Sequence, residues 1–195
     1  MKKYIAISIM LVFLTLVSSA FAIDQSGRIA VGGYGGYSFG FGDVFKKYEE
    51  GDFSYQNKAG FCYGGKIKYG LTPNLALVGA VDYQAVKFVT EGYGDIFWDV
   101  LATEDWHWTG ILLNLVCVIS PEAKSSPYLT AGAGYYFPNE DDGKSGFNAG
   151  LGMEHFFQDN LAVDVGARIH VIFTEVMNTT YLQTYIGLNF YLGGK

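Results

Sequence analysis

The sequence holds only two cysteines, four prolines and 16% charged residues in a length of 195. Two cysteines exclude a disulfide-knit scaffold and are too few for a zinc-finger cluster. Low charge beside 50% hydrophobic and 17% aromatic residues excludes a disordered chain, which needs the reverse balance. Basic charge is short as well: 13 Lys and Arg face 19 Asp and Glu, a formal net charge of -6. A nucleic-acid partner needs a basic surface to displace phosphate counterions, so that class is excluded. No stretch carries a convincing helical period, and beyond residue 22 no apolar run is long enough for a membrane helix. Mean hydropathy is nevertheless positive, +0.16. The hydrophobicity is therefore dispersed finely along the chain, together with 26 glycines.

The first segment is an export signal. Lys2 and Lys3 precede an apolar core from Ile5 to Val17, and Ala20-Phe21-Ala22 has the small-residue spacing of a signal-peptidase site. Cleavage is expected after Ala22, leaving residues 23–195 as one exported domain with a net charge of about -8. Cysteine is absent near that site, so a lipid anchor is not expected.

Period-two alternation fills the remainder. Leu182, Thr184, Ile186, Leu188, Phe190 and Leu192 fall on one face of a strand, with Gln183, Tyr185, Gly187, Asn189 and Tyr191 on the other. Eight such segments are predicted, near 28–40, 57–70, 75–89, 105–119, 127–138, 145–156, 161–174 and 180–192. Polar or acidic links (41–56, 90–104, 139–144, 175–179) alternate with tight turns at Leu71-Thr72-Pro73-Asn74, at Ser120 to Ser126 and at Gln158-Asp159-Asn160. That rhythm predicts an all-β, eight-stranded antiparallel up-and-down barrel, closed so that no edge is left open.

The polar face decides which side is wet. Even-numbered positions collect Arg28, Lys66, Lys68, Asp82, Gln84, Asn114, Glu154, Asp164, Arg168 and His170 along with many glycines. The eighth segment reverses parity and adds Gln183 and Asn189. Odd positions read Ile29, Val31, Phe61, Ile67, Leu77, Ile111, Leu113, Leu151. Near-balanced charges with glycines beside them suit a crowded interior in which charges pair, not a soluble cup with a ligand cavity. The barrel is therefore expected to be transmembrane, with the polar set as a lumenal network. Trp98, Trp106 and Trp108, with Tyr93 and Phe97, are expected in an outer aromatic girdle, and Tyr69, Phe156 and Phe157 in an inner one.

On these residues the chain resembles the OmpA/OmpX-like family of small outer-membrane β-barrels. Tyr185-Ile186-Gly187-Leu188-Asn189-Phe190-Tyr191-Leu192 is similar to the family's C-terminal assembly signal, with Tyr185, Gly187, Phe190 and Leu192 at its key positions. Phe157 to Val163 looks like one of its periplasmic turns. The resemblance implies a bacterial outer membrane location, periplasmic termini, long extracellular loops and recognition by the barrel-assembly machinery. No peptidoglycan-binding domain is expected after the barrel.

Candidate chemistry is sparse. Small barrels that deacylate lipid A carry a His and a Ser two residues later; here His170 is followed by Val171 and Ile172. His170 is expected inside, bonded to Asp164 or Glu154. Cys62 and Cys117 fall on non-adjacent strands and opposite faces, so two free thiols are predicted. Gly32 to Gly36 and Gly132 to Gly134 do not complete a phosphate-binding pattern and precede no helix. Acidic residues cluster in the outer links (Asp43, Glu49, Glu50, Asp52; Glu91, Asp95, Asp99; Glu140, Asp141, Asp142) and are read as solvated loop charge. No catalytic, cofactor or metal residue is assigned. The expected function is a small, monomeric, non-enzymatic barrel with a filled lumen, structural or acting at the surface through its loops among outer-membrane lipid and lipopolysaccharide. The alternative is a narrow pore or an OmpW-like transporter of small molecules.

Overall fold

The computed structural model describes residues 24–41, 48–50, 53–93, 98–139, 142–174 and 178–193. The predicted leader, residues 1–22, lies outside them. The described residues form β1 (Ile29–Phe41), β2 (Tyr48–Glu50), β3 (Phe53–Lys58), β4 (Gly60–Thr72), β5 (Leu75–Tyr93), β6 (Trp98–Val118), β7 (Ser125–Pro138), β8 (Lys144–Gln158), β9 (Leu161–Ile172) and β10 (Thr179–Leu192). Eight of these, β1 and β4 to β10, are the staves of a closed antiparallel barrel. Each stave pairs with the next in sequence, and β1 completes the ring against β10, with Ile29 opposite Leu192 and Phe41 opposite Thr180.

Because paired residues share a face, register sets what the wall shows on each side. In β1 and β4 to β9 the even residues point inward: Lys68, Asp82, Asn114, Glu154, Asp164 and Arg168 are all buried. Their odd neighbours Val31, Ile67, Val81, Ile111, Leu113 and Leu151 are exposed on the outside. The β9–β10 register puts Thr179 opposite Ile172, an odd residue against an even one. That single offset is why β10 turns its odd residues inward.

On β4 the apolar exterior runs from Phe61 to Leu71. Ten steps of about 3.3 Å at a tilt near 40° give roughly 25 Å of height, the thickness of an outer-membrane apolar band. One end of the barrel carries the short turns and the first and last described residues, Asp24 and Gly193, and the opposite end carries a long ribbon.

That ribbon departs from the expected loops. Residues 90–93 and 98–104 continue the β5–β6 ladder to Tyr93 opposite Trp98, with a bulge at Thr90/Glu91. Within the expected 41–56 loop, β3 pairs along β5 from Phe53 opposite Gly92 to Lys58 opposite Lys87, and β2 pairs with β3. The physical reason is the composition of these segments, where Phe53, Tyr55, Val89, Thr90, Val100 and Thr103 are β-formers among the acids. A loop reading built on charge missed them.

Glycine and aromatic residues interlock inside the wall. A Cβ on Gly64 would sit 2.6 Å from the Tyr34 hydroxyl, and one on Gly166 would sit 2.5 Å from that of Tyr185. Gly152 is covered in the same way by Tyr128. Outward Gly79, by contrast, has nothing within 4 Å of where its Cβ would be.

Candidate functional site

The barrel interior gathers the buried charge, and it is layered. Its middle holds three bases against three acids. Lys66 bonds Asp164, Lys68 Nζ lies 2.6 Å from Glu154 Oε2, and Arg168 Nη2 lies 4.0 Å from Asp82 Oδ2. Hydroxyls complete the carboxylates. Tyr128 donates to Asp164 at 2.7 Å, its oxygen lies 2.7 Å from the Tyr185 hydroxyl, and Tyr191 donates to Glu154 at 2.8 Å. Asn189 donates to Glu154 as well. Arg168 lies over two rings, with Cζ 5.2 Å from the Tyr34 centroid and 4.8 Å from that of Tyr185. The two lysine pairs survive burial because each charge keeps a counter-charge and hydrogen bonds after leaving water, whereas Arg168 and Asp82 face each other more loosely, with Arg168 Nε and Asp82 Oδ1 unpartnered.

Apolar clusters flank this belt, the one on the ribbon side interleaved with buried Ser38, Gln84, Asn148, His170 and Gln183. Toward the ribbon end lie Ala80, Val86, Trp108, Leu112, Tyr136, Ile172 and Tyr181. At the short-turn end are two clusters, one of Ala76, Val78, Val116, Val118 and Tyr128, the other of Ala30, Phe156, Ala162 and Tyr191. Between them a polar cavity of about 30 Å³ is lined by Lys66, Lys68, Asn114, Glu154, Asp164 and Arg168, among others. That is room for about one or two waters.

Of the predicted lumenal set, Lys66, Lys68, Asp82, Gln84, Asn114, Glu154, Asp164, Arg168 and His170 lie inside the barrel. Arg28 does not join them. It sits at the short-turn mouth, where Nε donates to Gly193 O and Nη2 to Asp159 O, both at 2.7 Å. As the last residue before β1, it lies below the level of the belt. His170 takes other partners than the expected carboxylates: Nδ1 lies 2.9 Å from the Tyr136 hydroxyl and Nε2 3.3 Å from Gln183 Oε1. A neutral ring protonated on Nε2 satisfies both, and Tyr181 stacks on it at 4.6 Å. The carboxylates are already engaged lower in the barrel.

Two aromatic assignments are corrected. Trp108, expected in the outer girdle, is 5% exposed and points into the lumen, its ring 6.1 Å from that of Tyr181. Phe156, expected in the inner girdle, packs inside against Tyr191. Both are even-numbered, so the alternation that sorted the charges also sorted them; proximity to a strand end was the weaker signal. Trp98 and Trp106 belong to the ribbon portion of β6, and their side chains lie outside the described set. Tyr37, Phe39, Phe61, Tyr63, Tyr135, Phe137, Phe147 and Phe173 form the exposed aromatic rim at the ribbon end. Tyr69, Phe157 and Phe190 are exposed toward the short-turn end.

In β10, Tyr185 and Gly187 face the lumen while Phe190 and Leu192 face out. Cys62 is buried and Cys117 exposed, and both are free thiols. One Ser–His contact escaped the sequence reading: Ser125 Oγ lies 2.7 Å from His155 Nδ1, two residues placed opposite each other by the β7–β8 register. At 1% exposure, Ser125 is not presented to a substrate. No group of three or more metal-ligating side chains occurs among the described residues.

A closed barrel with an apolar exterior band, aromatic rims and a filled polar interior defines a small membrane-spanning β-barrel of the outer-membrane type. The chain belongs to the outer membrane protein beta-barrel domain family, whose model matches residues 8–190, and is a bacterial outer membrane barrel. Solved structures agree on the fold. OprG from Pseudomonas aeruginosa is 12% identical, with a TM-score of 0.57 over 89% of this chain and 100% of that one. Neisserial surface protein A is 15% identical, with a TM-score of 0.58 over 85% and 97%. Ail, the attachment invasion locus protein of Yersinia pestis, is 14% identical, with a TM-score of 0.53 over 86% and 99%. No curated protein sequence matches the chain. Identities this low carry the fold and not the role.

Proposed function

We propose that the protein is a closed, non-enzymatic outer-membrane barrel that acts by its structural presence and through the surface ribbon, not by conduction. The observation that carries this reading is the belt of three bases and three acids, paired across a lumen that packed side chains fill toward both ends. A conducting pore needs a continuous polar path or a ring of one charge sign, and the belt is neither. The short-turn end, with both termini, is taken to face the periplasm after cleavage behind Ala22. The ribbon then faces outward among lipopolysaccharide. The assembly signal at Tyr185, Gly187, Phe190 and Leu192 would be read by the barrel-assembly machinery as β10 enters the membrane. The mature chain works as a monomer in this reading.

Planar-bilayer recording of the purified barrel tests it. A closed lumen gives no steady channel at physiological salt. Steady unitary conductance would overturn the reading and favour the narrow-pore alternative.

A further inference from the structure

Residues 24–28 precede the barrel wall, yet they are built into it. Ser26 N donates to Asp24 Oδ1 at 2.8 Å, and Arg28 N donates to Gln25 O at 3.1 Å, folding the segment into a turn. Gly27 takes a φ of +71°, a left-handed conformation that glycine adopts without strain. The turn is bonded to the bottom of β4, with Gly27 N to Gly70 O at 2.8 Å and Gly70 N to Arg28 O at 3.0 Å. A Cβ on Gly70 would collide with the carbonyl of Gln25, so the close approach depends on that glycine.

Two side chains then reach in different directions. Gln25 is 1% exposed and enters the mouth beneath the floor formed by Ala30, Phe156, Ala162 and Tyr191. Its Oε1 lies 3.3 Å from the Tyr191 hydroxyl, which accepts from Lys68 at 3.0 Å and donates to Glu154 at 2.8 Å. A phenol has one proton, and the charged acceptor holds it. Gln25 then serves that oxygen best with its amide turned to present Nε2, the atom otherwise without a partner. Arg28 reaches across the rim: it bonds the carbonyls of Asp159, in the β8–β9 turn, and Gly193, just past β10, and lies 5.0 Å over the Tyr191 ring. One side chain thus ties the start of β1 to the end of β10, the two strands whose pairing closes the barrel.

We propose that residues 24–28 are a built-in stopper of the short-turn mouth, with Gln25 as its plug and Arg28 as its latch. Through Tyr191 the stopper is joined to the Lys68–Glu154 pair, so the mouth and the central belt close together. Because the latch bonds lie in solvent and the belt does not, the stopper is the part of the closure that releases first.

Reporter labelling tests this in the folded barrel purified from outer membranes into detergent. Ala162, fully buried in the floor, is replaced by Cys in a Cys62→Ser, Cys117→Ser background, and reaction with a small water-soluble methanethiosulfonate is timed. Arg28→Ala and Gln25→Ala are each expected to speed labelling about tenfold or more, with Arg28→Lys intermediate. Heat-modifiable gel mobility confirms that each variant is folded. Labelling within twofold of the parent in the folded variants would overturn the proposal. Should Arg28→Ala not insert, Gln25→Ala decides alone, since it removes only the side-chain contact with the Tyr191 hydroxyl and leaves the turn's backbone bonds to Gly70 in place.

Discussion

Replacing Asp164 with Asn strands a lysine inside the barrel. Lys66 has a side chain only 10% exposed, with Asp164 as its carboxylate partner. The amide oxygen keeps an acceptor for the Tyr128 hydroxyl, so what is lost is the charge and the Lys66 hydrogen bond, whose acceptor becomes an amide nitrogen. The lysine's remaining support is the faces of Tyr34 and Tyr185, at 5.8 and 5.9 Å, and the field of Glu154, a carboxylate already paired with Lys68. Breaking a buried pair from one side costs about 3–5 kcal/mol, roughly 100-fold to several thousand-fold in the folding equilibrium. Lys66→Met should cost a similar amount by leaving the carboxylate alone. The double variant, Lys66→Met with Asp164→Asn, removes both charges and should recover most of the loss, to within about 1 kcal/mol of the parent. Urea titrations in lipid vesicles, followed by tryptophan fluorescence from both the folded and unfolded sides, measure all three. Additive costs in the double variant, or a single-variant cost below about 1 kcal/mol, would refute the paired-belt account.

Three further outcomes follow from the geometry. Gly152→Ala forces a methyl against the Tyr128 ring and should destabilise by about 1–3 kcal/mol, whereas outward Gly79→Ala should be neutral or slightly stabilising, both read by the same titration. Trp108→Ala opens a hole in the ribbon-side apolar layer and should cost about 3–5 kcal/mol; a rim tryptophan would cost far less, so the melting midpoint separates the two placements. In detergent-solubilised folded barrel, a membrane-soluble maleimide should modify Cys117 and spare Cys62 until the protein is unfolded, as mass spectrometry of the labelled peptides would show.

Faces and stave number were legible early because a strand's alternation is local. Lys66, Asp82 and Asp164 were sorted inward by parity alone, and Pro73-Asn74 or Asp159-Asn160 marked where the chain turns. Trp108 and Phe156 leave the expected girdles because parity, and not nearness to a strand end, sets the face a side chain takes. The ribbon was missed because its acids mask a strand composition whose alternation has no membrane to confirm it.

What the sequence by itself determined is the set of side chains each face would carry, since consecutive residues of a strand must point to opposite sides. Which of those side chains meet was decided only by tertiary structure. Lys66 and Asp164 lie 98 residues apart and come from strands that do not pair with each other, so they meet across the lumen. Their meeting depends on the stagger accumulated around the closed ring, a sum over all eight strand registers that no local pattern contains. The same holds at the mouth, where Arg28 is one polar residue in the sequence and becomes a latch only when closure brings Gly193 and Asp159 to it.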